Sequence, residues 1–227
     1  MKRVITVLLA ALLVLSLAAC GSRAETKKLA GTWTCTIDVT DRMNAAAEQA
    51  LGLSAADGAA KMPLQLVLTV TEDGAYTLRY DSDAVRTALD AYAAALRPAA
   101  VESVYAAAEE QGFSREEYDA AMEKAGITMD DMVAAIFAGV DEEELLSLLT
   151  GRSAALTGYC RAEGGQLYLA DTAAELAETV DCLSYTLSDG TMTWTDAQGE
   201  LSSQLTEQEQ ELLRVPLTWT KQAEESK

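Results

Sequence analysis

The chain has 227 residues, of which 36 are acidic and 17 basic, so its formal net charge is −19 at pH 7. A surface this acidic repels phosphate backbones, which excludes nucleic acid as a partner. The chain contains no histidine, so it lacks the side chain used most often as a general base and as a metal ligand.

The N-terminal segment has the pattern of an export signal. Two basic residues precede an apolar run over residues 4–18, which is close to the length of a signal-peptide core and too short for a membrane-spanning helix. Residues 17–20 read Leu-Ala-Ala-Cys and resemble the lipobox of bacterial lipoproteins. The resemblance implies that residues 1–19 are a lipoprotein signal peptide and that Cys20 is lipidated. The protein would then be extracytoplasmic and anchored at the outer face of the cell membrane. The alternative is an ordinary signal peptide in which Cys20 is incidental.

The residues after the signal peptide predict a short tether and no metal site. Residues 20–28, the lipidated cysteine and a polar tether, would hold the folded part close to the membrane. Three further cysteines, at 35, 160 and 182, are an odd number, so at least one thiol stays unpaired within the chain. Their spacing does not fit a zinc site, and neither a metal nor a cofactor is predicted.

Eight segments alternate apolar and polar residues, which is the period of a half-buried strand. They cover residues 33–39, 64–70, 76–80, 158–162, 167–169, 183–187, 192–194 and 217–219. Tight turns at 73–74, 164–165 and 189–190 join strands 2–3, 4–5 and 6–7, whereas the other connections are long. Eight such strands can close into an antiparallel up-and-down barrel with every tight turn at one end. An open two-layer sandwich is the alternative.

The turns also fix the pairing register. At 164–165 and 189–190, a two-residue turn places apolar residues opposite apolar ones. At 72–74 only a three-residue loop places apolar residues opposite apolar ones, because it pairs Val70 with Tyr76. In such a loop Gly74 is expected to be left-handed and to form a bulge.

One apolar face of each strand forms the predicted interior. Its members are Trp33, Cys35, Ile37, Leu66, Leu68, Val70, Tyr76, Leu78, Tyr80, Cys160, Ala162, Leu167, Leu169, Leu183, Tyr185, Leu187, Met192, Trp194, Leu217 and Trp219. The contacts predicted for a small apolar ligand are Trp33, Ile37, Leu68, Tyr76, Leu78, Tyr80, Tyr185, Met192, Trp194 and Trp219. Because an eight-stranded barrel is just wide enough for its own side chains or one small ligand, a packed interior and a binding cavity both stay open.

The first strand opens with Gly31-Thr32-Trp33, which resembles the Gly-x-Trp opening of lipocalins and related calycin barrels. The chain is more closely similar to lipocalin-like lipoproteins of Gram-positive anaerobes, which share Gly-Thr-Trp near the tether, a helical insertion and a hairpin like 185–193. Lipocalins place a basic residue against that tryptophan near the end of the barrel, and only Lys221 is available here. They also lack a helical insertion of this size. The resemblance implies a binding barrel without naming its ligand.

The segment 81–152 is rich in alanine and carries five short helical patterns. The patterns are separated at Pro98, Gly112, Gly126 and Gly139. The segment holds 16 acidic and 5 basic residues, a net charge of −11. Its acidic clusters open helices, where capping explains them, and they lack the ligand spacing of a calcium loop. No nucleophile or phosphate-loop motif is present, so we predict that the protein is not an enzyme.

The predicted organisation therefore has five parts: a signal peptide at 1–19, a lipidated tether at 20–28, a barrel from 29–80 and 153–221, a helical insertion at 81–152 that caps one end, and a C-terminal tail at 222–227. The first hypothesis is a lipoprotein whose barrel binds a small apolar ligand without catalysis. The alternative is a structural or interaction lipoprotein whose acidic insertion binds a protein partner at the cell surface. The sequence identifies neither the ligand nor the partner nor the oligomeric state.

Overall fold

The computed structural model describes residues 23–54, 60–138, 155–180, 182–198 and 214–223. The predicted signal peptide, Cys20 and the fifth helical pattern of the insertion lie outside these residues. The chain divides into two compact units. Within the described residues, the barrel unit comprises 23–35, 66–80, 155–180, 182–198 and 214–223, and the helical unit comprises 36–54, 60–65 and 81–138.

Eight antiparallel strands form a closed barrel in the order of the sequence. They are β1 Gly31–Asp38, β2 Pro63–Val70, β3 Ala75–Tyr80, β4 Leu156–Glu163, β5 Gln166–Ala170, β6 Cys182–Ser188, β7 Thr191–Gln198 and β8 Leu217–Lys221. Pairing of Trp33 in β1 with Lys221 in β8 closes the ring. The predicted up-and-down barrel is therefore confirmed, and the open sandwich is wrong.

The three tight turns have the predicted register. Asp189 and Gly190 have φ of 46° and 75°, so both are left-handed, as a two-residue turn that follows the strand twist requires. Gly164 and Gly165 are also both left-handed, with φ of 59° and 78°. Gly74, the last residue of the predicted three-residue loop, has φ of 88° and is left-handed, and Val70 pairs with Tyr76 as predicted.

One predicted interior residue lies at the surface. Leu187 pairs with Met192 as expected, but its side chain is 37% exposed. The cause is the short β5, which pairs with β6 only from Cys182 to Ser184. Leu187 therefore lies beyond Gln166, the first residue of β5, so that at this point β6 has a described neighbouring strand only on its β7 side.

The described part of the segment predicted as a tether, residues 23–28, is folded. Residues 23–29 form a helix, α1, in the barrel unit. The backbone N–H of Ala162 donates to Thr26 Oγ1 at 3.0 Å, and that of Gly164 donates to the carboxylate of Glu25 at 2.8 Å. Leu29 is 1% exposed. Because these contacts fix α1 at the β4–β5 turn, the prediction of an extended tether is wrong for these residues.

The described helices of the helical unit are α2 Thr40–Leu51, α3 Ser82–Glu110, α4 Arg115–Ala125 and α5 Met129–Phe137. Capping boxes open α4 at Ser114 and α5 at Thr128, as their sequences predict. The predicted break at Pro98 is wrong, since α3 continues through it. Its buried residues recur every three or four positions on both sides of the proline, so packing outweighs the lost backbone hydrogen bond. In the described part of the chain, no helix is both long and apolar enough to cross a membrane.

Candidate functional site

The barrel interior contains most of the predicted ligand contacts. Six of the ten are buried: Trp33, Leu68, Tyr76, Met192, Trp194 and Trp219. Four are partly exposed: Ile37, Leu78, Tyr80 and Tyr185. Ile37 belongs to the helical unit and the other nine to the barrel unit. The strand alternation thus places a mainly apolar and aromatic set of side chains inside the barrel.

Trp194 and Trp219 form the centre of this set. They lie on the adjacent strands β7 and β8, with ring centroids 4.8 Å apart and ring planes inclined by 47°. Their exposures are 6% and 0%. Neither indole Nε1 has a hydrogen-bond acceptor among the described residues. A buried donor left unpaired costs ~1–3 kcal/mol, so two such donors side by side call for an explanation.

Trp33 has the opposite arrangement. Its Nε1 donates to the backbone oxygen of Leu29 at 2.7 Å, and this bond joins β1 to the end of α1. The ammonium of Lys221 lies 5.3 Å from the centroid of the Trp33 ring, which is within reach of a cation–π contact. The single basic residue that the sequence offered as a partner for this tryptophan therefore lies against it.

The interior disfavours charge. Burial raises the pKa of the Cys160 thiol to about 12 and also raises the pKa of Cys35. The Tyr185 pKa is raised chiefly by burial, and then by the nearby Glu25 carboxylate and Cys160. Cys35, Cys160 and Cys182 are free thiols, and all three are buried.

The outer face of the barrel carries a contact between a cation and an aromatic ring. The guanidinium of Arg161 lies 4.1 Å from the centroid of the Tyr168 ring, and the two residues pair across β4 and β5. The two side chains therefore make a cation–π contact at the surface. Among the described residues, no three cysteine or acidic side chains come together as metal ligands.

The helical unit contains a pocket that the sequence did not predict. It has a volume of about 250 Å³ and lies between α2 and α3, with Phe137 from α5 in its wall. Alanines supply much of its lining because their short side chains leave space: Ala46, Ala47, Ala50 and Ala93. Tyr92 also lines the pocket, and its hydroxyl donates to Asn44 Oδ1 at 2.6 Å. The alanine content of these two helices was the only sequence signal for it.

The fold and this geometry define a closed eight-stranded antiparallel β-barrel with helical segments between its strands. Comparison of the chain with protein-family models, with curated proteins and with solved structures finds no match.

Proposed function

We propose that this protein is an extracytoplasmic, membrane-anchored lipoprotein whose lipocalin-like barrel binds a small apolar ligand without catalysis. The observation that carries the proposal is the pair of buried indoles, Trp194 and Trp219, whose N–H groups have no acceptor among the described residues. A barrel filled only by its own side chains gains nothing from burying two unpaired donors.

The lipocalin-like character is supported by the surroundings of Trp33. The tryptophan opens β1, is wholly buried, and lies against Lys221 from the last strand. This is the relation between tryptophan and basic residue that the resemblance implies. Membrane anchoring is supported by the lipobox at residues 17–20.

The binding proposal is tested by native mass spectrometry of residues 21–227 after exposure to a bacterial lipid extract. We expect a discrete added mass on the wild type and its loss in Trp194→Arg, which puts a charge into the apolar interior. Thr193→Arg is the matched control, because Thr193 is the preceding residue on β7 and faces the opposite side of the sheet. A folded wild type that acquires no added mass contradicts ligand binding.

A second candidate function uses the helical unit. Its residues 81–152 have a net charge of −11, and the same unit contains the apolar pocket of about 250 Å³. Together these features fit a cationic protein segment that inserts one apolar side chain into the pocket. The alternative function is thus an interaction lipoprotein at the cell surface.

Matched substitutions on α3 test the alternative. Ala93 lines the pocket, whereas its neighbour Ala94 is exposed. If a cationic partner uses the pocket, Ala93→Trp abolishes capture of that partner and Ala94→Trp does not. Equal capture by both variants contradicts a role for the pocket.

A further inference from the structure

The pocket of the helical unit lies between two helix faces that both leave space. Its lining follows the i, i+3, i+4, i+7 spacing of a single helix face on α2 and the i, i+4 spacing on α3. The residues that show this spacing are Met43, Ala46, Ala47 and Ala50 on α2, and Leu89 and Ala93 on α3. Because four of these six side chains are single methyl groups, the two faces border a volume that they do not fill.

The volume of the pocket sets the size of the molecule that fits it. The pocket measures about 250 Å³. An apolar cavity of ~150 Å³ between protein side chains is large enough to bind benzene. In proportion, the pocket has room for a compact molecule of about ten heavy atoms, which is the size of two fused six-membered rings.

The wall of the pocket favours an apolar and aromatic molecule. Leu89, Leu96 and Phe137 supply apolar surface, and Met43 adds a thioether. Thioether and aromatic side chains both pack favourably against aromatic rings. The hydroxyl of Tyr92 already donates to Asn44 Oδ1 at 2.6 Å, and burial raises the pKa of Tyr92. A ligand therefore does not have to supply a polar atom to this hydroxyl.

The mouth of the pocket favours a neutral molecule. Of the described lining residues, Arg86 and Asp90 carry charge, and both are exposed. They are one turn apart on α3 and have opposite charges, so together they offer no net charge to an ionised ligand. An ionised ligand would lose hydration against the apolar wall without a matching electrostatic gain. This local balance of charge also favours a free neutral molecule over a cationic segment.

We propose that this pocket is a second ligand site, independent of the barrel, which binds a free neutral aromatic molecule of about ten heavy atoms. All of its lining residues belong to the helical unit. The ligand lies between the alanine faces of α2 and α3, with its rings against Met43 and Phe137. The site goes beyond the proposed function, because neither the barrel ligand nor a protein partner is needed for it.

Naphthalene has the required size and polarity and is the probe. It is titrated into residues 21–227, with the ¹³C-labelled methyl groups of alanine as NMR reporters. We expect saturable shifts at Ala46, Ala47, Ala50 and Ala93, and none at Ala94, which is exposed on α3 and does not line the pocket. Ala162, buried in the barrel, reports separately on binding there.

Two comparisons make the test specific. Ala93→Trp fills the pocket with an indole and should abolish the shifts of the remaining lining alanines, whereas Ala94→Trp should leave the affinity for naphthalene unchanged. The anion 2-naphthoate has the same rings and should bind more weakly than naphthalene. If Ala93→Trp does not fold, the pattern of shifts in the wild type and the comparison of the two probes still decide the outcome.

The outcomes keep this inference separate from the proposed function. Absence of shifts at the lining alanines overturns the inference and leaves the barrel function untouched, whatever Ala162 reports. Binding of 2-naphthoate as tightly as naphthalene overturns the neutral chemistry of the ligand. If naphthalene causes no shift but Ala93→Trp abolishes capture of a cationic partner, the pocket takes a side chain of that partner and the inference is again overturned.

Discussion

The three tryptophans of the barrel should respond in opposite ways to the loss of an indole N–H. The perturbation is site-specific replacement by benzothienylalanine, which keeps the shape of tryptophan and has sulfur in place of the N–H group. At position 33 the replacement removes the 2.7 Å hydrogen bond to the Leu29 carbonyl. At positions 194 and 219 it removes a donor that has no acceptor among the described residues.

The magnitudes follow from burial. Trp33 is 0% exposed and Leu29 is 1% exposed, so the freed carbonyl oxygen lies where water does not reach it. An unsatisfied buried polar group costs ~1–3 kcal/mol. For a protein of this size that corresponds to a fall in Tm of about 2–4 °C for each kcal/mol. At 194 and 219 no bond is lost and a buried unpaired donor disappears, so the free energy of unfolding of the ligand-free protein should stay the same or rise.

Differential scanning calorimetry of the three ligand-free variants measures this contrast, with wild-type protein as the reference. We expect a lower Tm for the variant at position 33 and an unchanged or higher Tm for those at 194 and 219. If the variants at 194 and 219 lose as much stability as the variant at 33, both indoles have hydrogen-bond partners. The physical basis of the ligand proposal would then be refuted.

Three further predictions concern the anchor and the helices. Cys20→Ala should move the protein from the detergent phase to the aqueous phase in a Triton X-114 partition of whole cells, and continued membrane retention would contradict lipidation. Pro98→Ala should raise Tm, because it restores a backbone donor in the middle of α3 and removes a residue that disfavours helix interiors by ~3 kcal/mol; an unchanged Tm contradicts this. Arg115 bonds to Glu102 at 2.7 Å and to Glu109 at 3.1 Å, and α4 has no buried residue, so Arg115→Ala should speed amide exchange across α4. The pKa of Glu102 is lowered, chiefly by its hydrogen bond to Arg115. The ion pair should therefore protect the α4 amides of the wild type fully above the ordinary carboxylate pKa. That protection should be lost as the pH falls through the lowered pKa of Glu102. Protection factors in α4 that change neither with pH nor with the substitution would refute the role of this ion pair.

Local signals account for the parts of the barrel that the sequence predicts well. A Gly at each of three tight turns allows left-handed backbone, and only one loop length at each turn keeps apolar residues on one face. Because alternate connections of a meander lie at the same end, those turns also determine the topology. The predicted pairs, such as Tyr185 with Trp194, follow directly from the turns.

The errors arise where distant contacts decide the local structure. Residues 23–28 are mainly polar and resemble a tether, yet hydrogen bonds to β4 and to the β4–β5 turn, more than a hundred residues away, hold Thr26 and Glu25 in place. Leu187 has an apolar side chain at an inward position, and its exposure depends on where β5 begins. Pro98 breaks a helix only if the packing on either side is weaker than the local penalty.

The features of the candidate site also divide into those that local sequence determines and those that distant contacts determine. Strand alternation predicts which side chains point inward, so the apolar lining around Trp33, Met192, Trp194 and Trp219 could be anticipated. Whether an indole N–H has an acceptor depends on atoms from other elements of the fold. The difference between Trp33 and the other two tryptophans therefore could not be predicted from the sequence. The pocket of the helical unit depends on how α2 and α3 pack, and alanine content alone gives no position for it.

The folded α1 changes what the proposed anchor does to the barrel. An eight-residue tether would let the barrel stand as far as ~26–29 Å from a lipidated Cys20. Because Glu25 is bonded to the β4–β5 turn, only the five steps from Cys20 to Glu25 separate the anchor from that turn, and they extend at most ~18 Å. Under the proposed lipidation, the end of the barrel with the tight turns is therefore held at the membrane.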